Sequence, residues 1–149
     1  MGAFLLSSGV DLHIAYQPDR SHWLPGLRAL QYAETLDLGM WGSTTTTTTL
    51  VGPTLHYLFT PERRGSGYLG IELLDWTQEL KHNGAPNAAG KTSTLAPFFG
   101  GGFRLKLGSS GFFNVGMFYS PVTLKTETAT DSVESRGAID LYLQLGLRF

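Results

Sequence analysis

Histidine side chains are the first groups of this chain that could do chemistry, and their spacing decides whether they act together. The four histidines are His13, His22, His56 and His82. None belongs to an HExxH segment or to another short spacing that brings two imidazoles to one metal ion. His13 and His56 lie on the polar side of strand-like segments, and the other two lie in connections. We therefore expect hydrogen-bonded histidines, with no metal ion and no other cofactor.

Charged residues within strand-like segments form the second group. Nine titratable residues lie on the polar side of the alternating patterns, so in a barrel they would face the interior, whereas Glu34 interrupts the apolar positions of its segment. Charges in a narrow interior must pair, because an unpaired buried charge is costly. We predict a charge-balanced plug, with a small pore or a polar-ligand site as the alternative. The predicted interior network comprises Asp11, His13, Arg28, His56, Glu72, Arg104, Lys106, Asp140 and Arg148.

The elements that would position these groups are β-strands, and the clearest is the segment 139–149. Its odd positions are all apolar, whereas its even positions are Asp140, Tyr142, Gln144, Gly146 and Arg148. Successive side chains of a strand point to opposite faces, so this strand has one apolar and one polar face. That pattern is typical of the closing strand of a transmembrane β-barrel, with lipid on one side and a packed polar interior on the other.

The same period of two recurs in six earlier segments, and helical periodicity is weak throughout. These predicted strands lie within 10–17, 27–41, 51–59, 69–80, 95–107 and 113–124. We interpret Thr44–Thr49 as an extension of the third strand, because threonine favours strands. The alternation slips near Leu73 and Leu74, where we expect a β-bulge, and again at Pro121.

The predicted connections alternate in length and polarity. Short turns follow Gln17, Phe59 and Gly108, whereas longer or more polar connections follow Trp41, Leu80 and Thr128. The longest polar loops are expected at 82–91 and 126–136. Short turns at one rim and long loops at the other are the arrangement of outer-membrane barrels.

The polar side of the strands favours a membrane barrel over a soluble barrel of the lipocalin type. It carries small residues such as Gly52, Gly70 and Gly116 among a few charges of both signs, whereas a solvated face would be rich in lysine and glutamate. The interior of a small barrel is only wide enough for side chains to fill. The apolar side of the clearest strands carries no charge, and a lipid-facing charge would cost roughly 2–4 kcal/mol at mid-membrane.

Aromatic residues near the strand ends agree with this interpretation. Tyr16, Tyr57 and Phe59 would lie toward one rim, and Trp76 and Tyr119 toward the other, as in interfacial girdles. We therefore expect an all-β fold, an antiparallel up-and-down transmembrane β-barrel, in a single domain over residues 1–149. The soluble barrel remains the alternative.

Composition excludes several other classes. A net charge of −1 over 149 residues gives no reason to expect a nucleic-acid partner. The absence of cysteine excludes disulfides and thiolate metal sites. No run of about 18 apolar residues is present, so a spanning helix is not expected. The start shows no secretion signal, and Met1-Gly2 is interpreted as an artificial start on a mature or trimmed chain.

The alternating strands, the asymmetry of the connections and the terminal Leu147-Arg148-Phe149 resemble the small outer-membrane β-barrels of Gram-negative bacteria, the OmpA and OmpX type. The resemblance covers nearly the whole chain but is one of pattern, without a fingerprint motif. It implies a place in the bacterial outer membrane among its lipids, including lipopolysaccharide. It also implies that the barrel-assembly machinery recognises the last strand. The implied signal residues are Tyr142, Leu145, Leu147 and Phe149.

The segment around Ser120 superficially resembles the active-site region of the lipid A 3-O-deacylases. That family has a His-x-Ser pair followed by a glutamate. This chain has Phe118 in the histidine position, ahead of Ser120 and Glu134. A serine hydroxyl without a neighbouring base is not activated as a nucleophile. We therefore predict that the protein is not an enzyme.

The strand count does not fit a closed single-chain barrel. Seven strands are visible, whereas bacterial single-chain barrels have an even number, so we expect eight in the intact barrel. We favour a missing N-terminal strand, with residues 1–8 as the stub of the preceding loop. Alternatively, residues 27–50 contain two strands, or another chain supplies the eighth.

The expected function is a structural or adhesive scaffold that recognises its partner through the loops near Trp41, 82–91 and 126–136. A channel or transport module, within an assembly that supplies the missing strand, is the alternative. A soluble ligand-binding barrel is the third possibility, and a designed or trimmed sequence without a biological role is the fourth. The sequence identifies neither the extracellular ligand nor a partner chain.

Overall fold

The computed structural model describes residues 4–18, 20–37, 42–83, 89–127 and 132–147. Within these ranges the chain is all-β, and no helix long and apolar enough to span a membrane is found there. The seven strands are β1 Phe4–Ala15, β2 Trp23–Asp37, β3 Ser43–Leu58, β4 Gly65–Asn83, β5 Ala89–Leu107, β6 Gly111–Glu127 and β7 Ser132–Leu147.

The strands form one antiparallel sheet in which each pairs with the next along the chain. This confirms the all-β up-and-down arrangement and the seven strands. β1 and β7 are the two edges of the sheet, and no backbone pairing joins them in the described ranges. Because neighbours are antiparallel, the first and the seventh strand run in the same direction.

The sheet is curled, so that one face becomes an interior and the fold resembles a half-barrel. Side chains of distant strands meet across this interior. The hydroxyl of Tyr68 on β4 is hydrogen-bonded to that of Tyr142 on β7. Gln144 on β7 donates to Asp11 on β1 at 3.0 Å. The curl therefore brings the first and last strands within reach of each other's inward side chains.

Even-numbered positions of β4 point inward and odd-numbered positions outward, without interruption. Glu72, Leu74 and Trp76 are 1%, 0% and 3% exposed, whereas Leu69 and Leu73 are 58% and 41% exposed. The packed interior also includes apolar residues of other strands. The buried apolar cluster consists of Leu24, Leu50, Leu58, Tyr68, Leu74, Trp76, Ala96, Phe98, Phe118, Leu124 and Tyr142.

The expected β-bulge at Leu73 and Leu74 is wrong. These two residues pair with Pro97 and Ala96 in an unbroken register. What changes at this level is polarity. From Leu74 onward the apolar residues of β4, Leu74, Trp76 and Leu80, occupy inward positions, and the outward positions, beginning with Asp75, are polar. When only the positions of apolar residues are followed, their change from the outward to the inward face looks like a shift of strand register.

The expected irregularity at Pro121 is confirmed, on the side that faces β7. Ser120 pairs with Ala138 and Thr123 pairs with Arg136, so two residues of β6 lie opposite one residue of β7. That single residue is Gly137, whose φ of 70° lies in the left-handed region that glycine adopts without strain.

The strands are longer than predicted at the end away from the short turns. β4 continues to Asn83 and β6 to Glu127, so the loops expected at 82–91 and 126–136 are shorter. The three connections at this end span 38–42, 84–88 and 128–131 and are no longer than those at 16–22 and 59–64, so the expected difference in length between the two ends is wrong. Hydrogen bonds between neighbouring strands satisfy the peptide groups there. Exposed ion pairs lie on these extensions, such as that of Lys81 Nζ with Glu79 Oε1 at 3.0 Å. A polar stretch was mistaken for a loop because its side chains have no apolar face.

Two expectations about the first half of the chain are also settled. Residues 4–8 belong to β1 and are not the stub of a loop. The described residues of the segment 27–50 lie in β2, which ends at Asp37, and in β3, which begins at Ser43, with no further strand among them. Thr44–Thr49 extends β3 as predicted.

Candidate functional site: a charged interior cluster beneath an apolar outer belt

Arg28 on β2 is the centre of a charged cluster inside the curled sheet, and its side chain is 1% exposed. Its Nε and Nη2 donate to the two carboxylate oxygens of Asp11 at 3.0 and 2.8 Å. Its Nη1 donates to Glu72 Oε2 at 2.9 Å and lies 2.5 Å from Asp140 Oδ2. The guanidinium carbon also lies 4.6 Å from the ring centroid of Tyr142. One buried cation thus joins carboxylates of three other strands.

Two histidines extend this cluster. His56 Nε2 and Glu72 Oε1 are 3.1 Å apart, and His13 Nε2 lies 2.9 Å from the hydroxyl oxygen of Thr54. The two imidazole centroids are 5.3 Å apart. The ring of His56 also stacks on Phe118, at 5.3 Å between centroids. Both side chains therefore have neighbours that hold them inside the sheet.

Glycines make room for the large side chains that cross the interior. A Cβ atom at Gly70 would overlap the ring of His56. A Cβ atom at Gly116 would overlap the hydroxyl of Tyr68 and the ring of Tyr142. His56 is the direct pairing partner of Gly70, and Tyr142 is that of Gly116. The absence of a side chain at these glycines leaves room for the rings of the neighbouring strands.

The structure places the predicted interior residues in two separate regions. It brings together Asp11, His13, Arg28, His56, Glu72 and Asp140. Arg104 and Lys106 lie instead at the end of the short turns, where Arg104 stacks over Phe112 at 4.1 Å and Lys106 Nζ donates to Pro61 O at 2.6 Å. The single network expected from the sequence is therefore divided. Arg148 lies outside the described residues.

The four residues of the implied assembly signal do not share one environment. Leu145 points outward and is 79% exposed, whereas Tyr142 is 7% exposed and points inward. β7 includes the backbone of Leu147, and that side chain and Phe149 lie outside the described part of the chain. Tyr142 thus belongs to the interior, where it contacts Arg28 and Tyr68.

Several interior residues were not selected from the sequence. Thr54, Tyr68 and Gln144 join the cluster through the hydrogen bonds given above. All three occupy inward positions of their strands, so the alternation that selected the charged residues also marks these. Their pairing partners lie 41, 74 and 133 residues away, a separation that alternation alone does not resolve.

Ser120, the serine of the superficial deacylase resemblance, is fully buried at the β6 bulge. Its hydroxyl accepts a hydrogen bond from the backbone N–H of Val122 at 3.4 Å. Glu134 pairs with the exposed Arg136 at 2.9 Å. Within the described residues, no group of three histidine, aspartate or glutamate side chains is placed to hold a metal ion.

The outer face of the sheet carries a continuous belt of exposed apolar side chains on all seven strands. In β5 the outward positions from Leu95 to Leu107 carry no polar side chain. We call the following residues the belt: Val10, Leu12, Ile14, Leu27, Val51, Leu55, Leu69, Ile71, Leu73, Leu95, Phe99, Phe103, Leu107, Val115, Met117, Tyr119, Ile139, Leu141, Leu143 and Leu145.

An aromatic cluster borders the belt near the short turns. The rings of Trp23 and Tyr57 meet edge to face at 5.0 Å, and those of Tyr57 and Phe59 at 6.0 Å. Tyr16 is exposed at the same end. Trp76, expected at the opposite rim, is instead inside the sheet and is 3% exposed.

Beyond the belt the polarity of the two faces is inverted. Six apolar residues at inward positions there form what we call the upper core: Leu30, Leu50, Leu74, Trp76, Val122 and Leu124. Outward positions at the same level are polar: Gln31, Thr49, Asp75, Ser93 and Thr123. Leu30 pairs with Leu50, and Leu50 with Trp76, so the inversion runs across neighbouring strands. Farther along the strands, Thr48, Gln78 and Thr126 are also buried, and Thr126 Oγ1 donates to Gln78 Oε1 at 3.1 Å.

No protein-family model, curated protein or solved structure matches this chain. The functional argument therefore depends on the geometry described above.

Proposed function

We propose that this protein is a scaffold embedded in the bacterial outer membrane, with its belt in contact with lipid and its interior filled by the Arg28 cluster. In this proposal the protein is not an enzyme. Its recognition surfaces are the connections of β2 to β3, β4 to β5 and β6 to β7, whose residues 38–41, 84–88 and 128–131 lie outside the described part of the chain. Loops on a rigid scaffold are a common arrangement for binding.

The belt is the observation that supports this proposal. In water, a patch of this size would promote association, because exposed apolar patches on soluble monomers rarely exceed a few hundred Å². Charged residues occupy the opposite face, where Arg28 and Glu72 are 2% and 1% exposed. Apolar outside and charged inside is the distribution that a hydrocarbon solvent favours.

The dimensions of the belt agree with a membrane span. A strand crosses a bilayer in about 9–11 tilted residues. The outward face of β5 is free of polar side chains from Leu95 to Leu107, which provides that length. The aromatic cluster of Trp23, Tyr57 and Phe59 would then lie at the membrane–water interface, where such side chains are enriched.

The interior favours a scaffold over a channel. Ion pairs from Arg28 reach β1, β4 and β7, so they connect opposite walls of the curled sheet. Opening a path for solutes there would require separating buried ion pairs, which is costly.

Membrane contacts complete the proposal. We infer contact of the belt with outer-membrane lipids, including lipopolysaccharide. We also infer recognition of the outward face of β7 by the barrel-assembly machinery, with Leu145 the most exposed apolar residue of that face.

Folding into detergent or lipid tests the proposal. The purified chain is expected to give a β-type circular dichroism spectrum in detergent, a heat-modifiable band on SDS gels and aggregation without detergent. In planar bilayers it should give no steady single-channel steps. A monodisperse, detergent-free β protein would contradict the membrane location, and steady conductance steps would favour a channel.

A further inference from the structure

We propose that the open edge between β1 and β7, which we call the seam, accepts one extended strand from a second polypeptide. The strand would run antiparallel to both edges, with apolar side chains outward and a lysine or arginine inward, facing Asp11 and Asp140. This inference goes beyond the proposed function, because it concerns the edges of the sheet and not the belt.

The chain direction of the edge strands β1 and β7 determines the direction in which the partner strand must run. β1 and β7 run in the same direction, so direct closure of the sheet would require a parallel pair in a sheet that is otherwise antiparallel. One inserted strand of opposite direction pairs antiparallel with both edges. It also satisfies two rows of backbone N–H and C=O groups, which are costly to leave unpaired away from water.

The hydrogen bond between Gln144 and Asp11 limits the width of the seam. Gln144 Nε2 donates to Asp11 Oδ2 at 3.0 Å. Two such side chains and their hydrogen bond span at most roughly 11 Å between Cα atoms. One intervening strand separates its neighbours by about 9.6 Å, two spacings of about 4.8 Å, and two intervening strands would need about 14 Å. The seam therefore fits one strand.

The charge around the seam determines what the partner presents to the interior. Arg28 supplies one guanidinium to this cluster. The carboxyl groups of Asp11, Glu72 and Asp140 surround it, so acidic side chains outnumber the arginine. The side chains of Arg28 and Glu72 are each 1% exposed, whereas those of Asp11 and Asp140 are 18% and 14% exposed. The remaining access to the cluster is thus through the two seam strands.

Asp140 contributes a second carboxylate at the seam. Its Oδ2 is paired with Arg28 Nη1 at 2.5 Å, and its side chain is 14% exposed. An inward lysine or arginine on the partner strand supplies a donor and a positive charge at once. On the outward side, Leu12 on β1 and Leu143 on β7 are 57% and 72% exposed, so apolar residues on the partner would continue the belt.

Cysteine cross-linking measures the width of the seam, since the chain has no cysteine of its own. Val10→Cys with Leu143→Cys is expected to react with a bifunctional maleimide of about 10 Å without forming a disulfide, because a disulfide needs Cα atoms within about 7 Å. Efficient disulfide formation would show that β1 and β7 close directly and would overturn the proposal.

Peptide binding tests the occupant. The probe is an eleven-residue peptide of alternating leucine and threonine, with one central threonine replaced by lysine. The matched peptide has glutamate there, and a third has proline. The lysine peptide is expected to form a one-to-one complex by native mass spectrometry and to protect amides of 9–15 and 139–145 from deuterium exchange. Absence of protection at both edges, equal binding of the proline peptide, or self-association of the chain through these edges would overturn the proposal.

The inward charge is tested by the ratio of affinities. The lysine peptide should bind about tenfold more tightly than the glutamate peptide, equivalent to about 1.4 kcal/mol. This preference should disappear in Asp11→Asn with Asp140→Asn and persist in Asp75→Asn, an outward acid of β4. A preference that survives the double substitution, or no preference in the unmodified chain, would overturn the charge assignment. If the protein is monodisperse without detergent, the proposed membrane location fails, and the same peptides test the seam in buffer.

Discussion

Along β4, the side chains nearer the short turn and those nearer the β4–β5 connection follow opposite patterns of polarity. Below Leu74 the outward residues are Leu69, Ile71 and Leu73, and the inward Glu72 is bound to Arg28. From Leu74 onward the apolar side chains point inward, and the outward positions begin with Asp75. The backbone is continuous across this point, so the change must reflect the surroundings of the strand and not its conformation.

One curled sheet therefore carries two opposite distributions of polar and apolar side chains. The lower half has the distribution expected in hydrocarbon, with charges paired inside. The upper half has a conventional apolar core under a polar surface, as expected in water. Under the proposed function, the strands leave the membrane near the level of Asp75 and continue as an extension in water, with the upper core holding them together. The predictions below test each half separately.

The largest effect is expected at the centre of the lower interior. Arg28→Met should lower the free energy of unfolding by about 3–5 kcal/mol, because it leaves buried carboxylates without their cation. Urea unfolding in detergent, followed by tryptophan fluorescence, measures this loss. The control is Arg136→Met, which removes an exposed ion pair with Glu134 on the outer surface and should cause no measurable change. Equal losses in the two variants would contradict the role of the interior cluster.

The adjacent leucines at the point of inversion test the upper core. Leu74→Ala should cost about 2–5 kcal/mol, because it opens a cavity at a fully buried position. Leu73→Ala removes the same atoms from an outward position that is 41% exposed, so no enclosed cavity forms and the loss should be clearly smaller. The same unfolding measurement applies. Comparable losses of unfolding free energy in the two variants would contradict the assignment of Leu74 to a packed core and Leu73 to the outer face.

Part of this architecture could be predicted from the sequence. The strict alternation of 139–145 predicts the two faces of β7. The same alternation in other strands predicts that Asp11, Arg28 and Glu72 point inward. The inversion was missed because one assignment of polarity was applied to each whole strand. For that reason Leu74 was interpreted as evidence for a bulge and Trp76 as an interfacial residue.

The sequence does not determine which inward residues contact one another in the Arg28 cluster, for a different reason. Parity shows that two side chains share a face, but the curl of the sheet determines which of them meet. Arg28 reaches Asp140 from a strand 112 residues earlier in the chain, and both sequence positions are also compatible with other partners. Lys106 shares their parity but lies at the rim against Pro61, because its position along the strand differs.

A charge placed on the outer face should have opposite consequences in the two halves of β6. Val115→Arg puts a cation in the belt and should reduce stability in lipid by about 2–4 kcal/mol. Thr123→Arg places the same group on the outward side of the upper half, where water can solvate it. Folding yield into lipid vesicles, measured by heat-modifiable migration, separates the two. If both variants fold equally well, the belt is not in contact with hydrocarbon.

The smallest change in unfolding free energy is expected for a substitution of Asp75, and its size tests whether this level of the sheet is in water or in hydrocarbon. Asp75 is the first outward polar residue of β4 after Leu73 and lies at the border of the belt, where it pairs with the belt residues Val51 and Leu95. If this level is in water, Asp75→Leu should change the free energy of unfolding by no more than about 0.5 kcal/mol, as for most surface substitutions. Unfolding in lipid vesicles measures the change. A gain of more than about 1 kcal/mol would place Asp75 in hydrocarbon, because removing a charge from lipid relieves a cost of that order or larger. The boundary between the two halves would then lie above Asp75, and the outward Thr77 would become the position to test next.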